Sequence, residues 1–400
     1  RGLNLDTKKK MLMTIIMIVA LVHIPQMALT PGIARMSTDA FPQFSPLSIQ
    51  SAVTLPCLLS VLSGVLGAFL IRYGKLTKKL AVIIGLACHG SAGLFVILLH
   101  GEFWQIVVAG LLLGSGTGLI VPNITSIMID DFDGKSQKLA TGLQGSFVAT
   151  GGIIQSFFAG LLVTLVWYGG YIMLLLAWPI FLICLLGLPK ERAFKAGSAG
   201  KFKEMPRDVY YFSFYASLLF VMTYAALGNN LSLHLQQSGF ENYSSLAGAG
   251  IAVNLLGGVA MGFFFGKLSH KFGDYLIVIA FFLMALGYFI VATCGESIPL
   301  ILTGCFINGM SLTSCSPQGI VAIARYTTPR NSFFATLLFN CITNGLAGFL
   351  SAIVYTGISQ WISGDSTIGR YVFIGVCAIG IGLIFALTTT LRRRRGVQWR

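Results

Sequence analysis

Twelve long apolar stretches, separated by short polar gaps, divide the chain almost from end to end. A bilayer core about 30 Å thick takes roughly 20 predominantly apolar residues per helical crossing. The pattern predicts crossings near 11–34, 47–71, 79–99, 103–128, 139–166, 171–188, 209–235, 245–268, 275–294, 298–324, 333–358 and 370–391. The first run follows a lysine-rich start and imitates a secretory signal. It continues past the usual length of such a segment and has no clear small-residue cleavage site, so it reads as the first helix. The expected class is an all-α polytopic membrane protein with twelve transmembrane helices.

Charge orients those helices. Of the 27 Lys and Arg residues, all but Arg35 and Arg370 fall in the termini or in the gaps after helices 2, 4, 6, 8 and 10. Basic residues are retained on the cytoplasmic side, so both termini are expected there. A net charge of +14 would by itself suggest a nucleic-acid partner. Its segregation explains it better: Lys8-Lys9-Lys10, the run from Lys190 to Arg207 and Arg392–Arg395 all flank helices and would lie against anionic headgroups. The partner of these charges is the lipid bilayer. Hydrophobic residues make up 55% and charged ones 10%, against about 25% charged in a soluble domain. Short loops and a basic tail point to a bacterial inner membrane, with the protein a monomer. The eight cysteines lie inside apolar segments without C-x-x-C spacing and read as small buried hydrophobes, with no disulfide frame or metal site.

The chain repeats itself. After helix 2 it reads Gly67-Ala-Phe-Leu-Ile71-Arg72-Tyr73-Gly74-Lys75, and after helix 8 Gly266-Lys-Leu-Ser-His270-Lys271-Phe272-Gly273. Helices 4 and 10 share a second echo: Gly114 stands eight residues before Pro122-Asn123, and Gly309 eight before Pro317-Gln318. Both recur at just under 200 residues, half the chain. Two six-helix bundles, 1–188 and 209–400, are therefore expected on either side of a cytoplasmic linker, 189–208. Secondary transporters are often built from such repeats, with the site near the midplane.

Over essentially its whole length the chain resembles the major facilitator superfamily. The loop after helix 2 resembles the family signature Gly-x-x-x-Asp-Arg/Lys-x-Gly-Arg/Lys, and the loop after helix 8 resembles its C-terminal copy. Trp167 at the turn after helix 5 and Leu188-Pro189-Lys190 closing helix 6 are also similar. The resemblance implies two pseudo-symmetric bundles, with helices 1, 4, 7 and 10 lining a cavity. It departs at Ile71 and His270, where the family has an Asp that latches the gate. The expected gating set is therefore Arg72, Lys75, His270 and Lys271, with Asp130, Asp131 or Asp133 as acidic partners. Helix 5 carries Gly142-Leu-Gln-Gly145 and Gly151-Gly152 but lacks the Gly-Pro of the family's drug antiporters.

Polar side chains are costly in lipid and tend to face a bundle interior or a water-filled cavity. That rule picks out the substrate-contact candidates. They are His23, Gln26 and Arg35 on or beside helix 1, Asn123 on helix 4 and Gln144 on helix 5. Tyr224, Asn229 and Asn230 follow on helix 7, with Asn254 on helix 8, Asn308 and Gln318 on helix 10, and Asn340 and Asn344 on helix 11. Amides also bind helices to one another, at about 0.6 kcal/mol per bond, so each of these is either glue or contact. His23 is the mid-span residue that titrates near neutral pH, and prolines 25 and 31 interrupt its helix. Arg35 reads as a substrate anchor or a snorkelling interfacial side chain. The glycines of helix 4 (110, 114, 116, 118) and helix 8 (258, 262, 266) read as packing devices.

All thirteen acids lie in loops or near helix ends. No metal-ligand cluster, phosphate loop or nucleophile with a base is visible, so neither an enzyme nor a cofactor is expected. The sequence reads as a secondary transporter for a small polar or anionic organic solute. It would work by alternating access, as a facilitator, an exchanger or a carrier coupled to protons through His23. An efflux carrier for amphipathic compounds, with its 30 Phe and 12 Met, and a non-transporting receptor on the same scaffold are the alternatives.

Overall fold

The computed structural model describes residues 6–132, 134–189, 206–293, 295–327 and 332–394. Every regular element among them is helical. The chain separates into two compact units, Arg1–Ala196 and Gly197–Arg400. Most of the expected linker, residues 190–205, lies outside the described residues.

Six helices build the first unit. α1 runs in two pieces, Thr7–Ala20 and Gln26–Leu29, the second continued through irregular turns to Ala40. α2 spans Pro46–Arg72, α3 Lys78–Leu98, α4 Phe103–Asp131, α5 Gly134–Leu165 and α6 Gly169–Gly187, the last through a short tightened turn. Local chemistry sets the starts. The Ser45 hydroxyl accepts from the Ser48 N–H at 3.2 Å, with Pro46 at the first helical position, where its missing N–H costs nothing. Thr77 caps α3 in the same way, and Glu102 with Gln105 closes a reciprocal cap on α4.

The second unit repeats the plan. α7 spans Arg207–Gln237, α8 Tyr243–Phe272, α9 Tyr275–Thr293 and α10 Ile298–Tyr326. α11 begins at Ser332 and reaches Ser363 through two widened, π-helical stretches, and α12 spans Thr367–Arg394. Among the described residues, eleven helices are long and apolar enough to cross a membrane. The twelfth expected crossing is α1, which its central break divides into two shorter pieces.

The repeated motifs now have a physical content. Gly74 and Gly273, the shared glycines after α2 and α8, both hold positive φ, at 67° and 54°, a conformation other residues rarely adopt. Gly114 and Gly309 mark equivalent close crossings. A Cβ on Gly114 would lie 2.6 Å from the Pro56 carbonyl oxygen of α2, and one on Gly309 would meet the Asn254 carbonyl of α8. The packing expectation fails at Gly266, whose missing Cβ faces open space; Gly257, against the Phe306 carbonyl of α10, makes the tight approach instead.

Inside the first unit, Ile16 and Val19 of α1, Leu86 of α3, Ile120 and Ile124 of α4 and Cys184 of α6 form one apolar core. The second unit adds polar rungs between α7 and α11. Ser217 meets Thr343 at 2.5 Å and donates to the Phe339 carbonyl, while Thr223 meets the Tyr355 hydroxyl at 2.5 Å. Three of these four residues stand in widened turns, where displaced carbonyls leave room for side-chain bonds.

Candidate functional site

The break in α1 follows from one residue. In an uninterrupted helix the N–H of residue 25 would bond the Leu21 carbonyl, but Pro25 has no N–H. The freed oxygen accepts from Gln155 Nε2 of α5 at 2.6 Å. Gly151, one turn earlier on α5, lies so close to Leu21 that a Cβ there would clash with its backbone. The break is thus built by two helices, and His23 stands in the middle of it.

His23 is 7% exposed, and its Nε2 is buried with no hydrogen-bond partner. An unsatisfied buried polar atom costs about 1–3 kcal/mol. A second imidazole lies close enough to sense it electrostatically: His89 of α3, 1% exposed. His89 Nε2 is 3.0 Å from the Thr117 hydroxyl, which donates its proton to the Leu113 carbonyl at 2.9 Å. His89 stands mid-span on α3, which corrects the expectation that His23 is the mid-span titratable residue; the rule that selected His23 applies equally to His89.

The other candidates of the first unit are tied down. Asn123 donates to the Leu119 carbonyl of its own helix at 2.8 Å, and Gln144 donates to the Thr125 hydroxyl of α4 at 3.2 Å. Gln26 is half-buried after the break. Arg35 pairs with Asp39 at 2.8 Å and donates to the Val163 carbonyl of α5 at 2.5 Å, stitching α1 to α5.

In the second unit the structure gathers three candidates from three helices. Tyr224 of α7 donates to Asn254 Oδ1 of α8, and Asn254 Nδ2 donates to Asn308 Oδ1 of α10 at 3.1 Å and to the Cys305 carbonyl at 3.0 Å. Asn308 is fully buried, and its Nδ2 has no hydrogen-bond partner. Asn229 of α7 is buried as well. Asn230 turns elsewhere, toward the opposite end of α7. There Arg370, 1% exposed, donates to Asn230 Oδ1 at 2.6 Å and to the Ser359 hydroxyl at 3.0 Å. His234 seals the same end, between the Thr367 hydroxyl and the Val291 carbonyl, each at 3.0 Å. Asn340 and Asn344 are exposed on α11.

The gating expectations need a correction. Asp130 does not pair with Arg72 or Lys75, both exposed; its partner is Lys78, at 2.5 Å. The physical reason is reach. Lys78 opens α3 directly beside the end of α4, whereas Arg72 ends α2 and Lys75 sits on the turn between α2 and α3. Asp131 is exposed, and Asp133 lies outside the described residues. His270 and Lys271 are exposed as well. The ion pair of the second unit uses other residues: Asp274, 2% exposed, meets Arg325 at 3.2 Å and Gln318 Nε2 at 3.0 Å. Gln318 thus belongs to a polar cluster at the end of α10. Asp274 occupies the place where the family signature has its last base, a signal the sequence carried.

A model of the Major Facilitator Superfamily matches residues 11–352. No curated protein matches the chain. Several solved transporters share the fold. The nucleoside transporter NupG superposes with a TM-score of 0.74 at 14% identity, over 96% of this chain and 99% of that one. The POT family transporter PepTSo gives 0.75 at 12%, over 96% and 98%. A bacterial homolog of the human lysosomal transporter Spinster gives 0.72 at 16%, over 99% and 100%. Identities this low speak for the fold alone.

Proposed function

Because this chain belongs to the Major Facilitator Superfamily, we propose that it is a secondary transporter of a small polar or mildly anionic organic solute, working by alternating access. The observation that carries this reading is His23. A transporter site must offer hydrogen bonds that the protein itself leaves open, and the buried His23 Nε2, at a break in a membrane helix, is such a group. Within the second unit, Asn308 Nδ2 on α10 is likewise left open. Interior polar groups of the described helices are amides, hydroxyls, imidazoles and the Arg370 guanidinium. A cationic drug would find no mid-span carboxylate to pair with, since the acids lie in loops or near helix ends. The even-gap bias of Lys and Arg supports cytoplasmic termini and a cytoplasmic linker between bundles 1–188 and 209–400, in a bacterial inner membrane.

Solutes carried by proteins of this fold, nucleosides and peptides, enter the test panel alongside organic acids, sugars and cationic dyes. Purified protein in proteoliposomes is expected to exchange a labelled neutral or anionic solute and to leave the dyes behind. Flux of the dyes alone would favour the amphipathic-efflux alternative. Silence across the whole panel would favour the receptor.

A further inference from the structure

Each unit ties the start of one helix to the end of the next with an ion pair, and the two pairs have opposite polarity. Lys78 starts α3 and meets Asp130 at the end of α4; Asp274 precedes α9 and meets Arg325 at the end of α10. The 195-residue offset that relates Gly114 to Gly309 carries Asp130 onto Arg325, while the loop motif sets Asp274 opposite Lys75, three residues before Lys78. In both pairs the member on the third or ninth helix is the buried one. Side chains of Lys78 and Asp274 are 9% and 0% exposed, against 57% for Asp130 and 28% for Arg325. One repeat buries a base, and the other buries an acid.

A buried carboxylate is stable only when its charge is matched and its lone pairs are used. Asp274 is provided for on one side. Oδ1 accepts from Gln318 Nε2 and Arg325, while Oδ2 is buried with no hydrogen-bond partner among the described residues. Gln318 is held in that orientation, because its Oε1 accepts from the Ser269 hydroxyl at 2.6 Å. Burial pushes the Asp274 carboxyl above its ordinary value, outweighing the opposing pull of Gln318 and Arg325. The surroundings supply no second free cation among the described residues. Tyr326 of α10 and Tyr211 of α7 interact with Asp274 as neutral groups, and the Tyr275 hydroxyl bonds Thr390. Arg392 of α12 is committed to Asp208 and lies 4.2 Å over the Tyr211 ring. On α8, His270 and Lys271 face outward.

We propose that Asp274 is a proton-binding site, and that its protonation cancels the charge attraction between the start of α9 and Arg325 at the end of α10. The proton adds to Oδ2, the oxygen without a partner. Oδ1 stays an acceptor for Gln318, so the amide bond survives while the charge that holds the guanidinium is cancelled. Arg325 keeps its own charge, and its side chain is already partly exposed to water. The first unit has no counterpart, because its acid, Asp130, already faces water. The second pair is therefore the one whose buried member is an acid. Under the topology proposed above this face is cytoplasmic, and acidification there would loosen it. That consequence for flux rests on the transporter reading; proton binding itself does not.

The test is read on the protein. The full chain in lipid nanodiscs is treated with dicyclohexylcarbodiimide, which adds to protonated carboxyls in apolar surroundings, from about pH 4 to about pH 8. Peptide mass spectrometry then measures modification at Asp274. Modification is expected to titrate with a midpoint clearly above the ordinary carboxylate value of about 4. It should rise several-fold at a given pH in Arg325→Gln, because a nearby cation favours the ionised form. Asp130, exposed, should remain unmodified. Absence of modification at Asp274 at every pH, an ordinary midpoint, or a midpoint unmoved in Arg325→Gln would overturn the proposal. Titration in a protein that moves no solute would leave the proton site standing and remove the transporter reading; flux without titration would do the reverse.

Discussion

Gln155 Nε2 lies 2.6 Å from the carbonyl oxygen of Leu21, and that one bond closes the gap that Pro25 opens in the first helix. A helix broken in the middle of a membrane exposes a backbone acceptor to a medium that offers no water. Removing the cap leaves that acceptor buried, so Gln155→Leu should lower stability by about 1–3 kcal/mol. Pro25→Ala restores the missing N–H, and Gln155→Leu should then cost distinctly less. Thermal melting of both single variants and the double variant in detergent gives the coupling. Additive effects would show that Gln155 acts through something other than the break.

Ion-pair identity is the next consequence. A double-mutant cycle on Lys78→Met and Asp130→Asn should give a coupling above the 0–1 kcal/mol usual for surface pairs, since the Lys78 side chain is buried. The same cycle on Arg72→Gln and Asp130→Asn should give none, since Arg72 is exposed at the end of α2. A larger coupling to Arg72 would restore the gate expected from the loop motif.

Arg370 makes the third. Its guanidinium reaches Asn230 on α7 and Ser359 on α11 at once, from the first turn of α12. A lysine keeps the charge but donates from a single nitrogen, where Arg370 uses two nitrogens of a planar fork. Arg370→Lys should therefore lower the melting temperature clearly, and Ser359→Ala by less, because Asn230 remains. A lysine variant as stable as the parent would mean that charge alone matters there.

Topology can be tested without any substrate. Glu241→Cys should react with a membrane-impermeant thiol reagent in intact cells, and Gly200→Cys only after permeabilisation. Equal reactivity at both positions would contradict the orientation drawn from the basic gaps.

Much of the fold was legible because lipid enforces a simple rule. Apolar runs of one length mark helices, and the glycines at 74 and 273 mark equivalent turns. Gly114 and Gly309 were readable as equivalent too, since a close helix crossing tolerates no Cβ. The break at Pro25 was visible as well, although Gln155 as its cap was not. A bond between residues 134 positions apart leaves no periodic trace. For the same reason Tyr224, Asn254 and Asn308 could be nominated singly and not as one cluster. Arg370 stood apart in the charge distribution and Asp274 in the loop motif, but their partners, like the burial of Lys78, depend on contacts between helices that leave no local trace.

The central claim is that His23 supplies a hydrogen bond to the transported solute. Counterflow of the solute retained by the panel, measured in proteoliposomes for wild type and His23→Leu, tests it most directly. The leucine keeps the volume and removes the open Nε2, so exchange should fall about tenfold, the equivalent of one lost hydrogen bond of about 1.4 kcal/mol. Melting temperature should hold or rise, since an unsatisfied buried atom has been removed. Exchange at the wild-type rate in His23→Leu would contradict the account and leave His23 a structural residue of the broken helix.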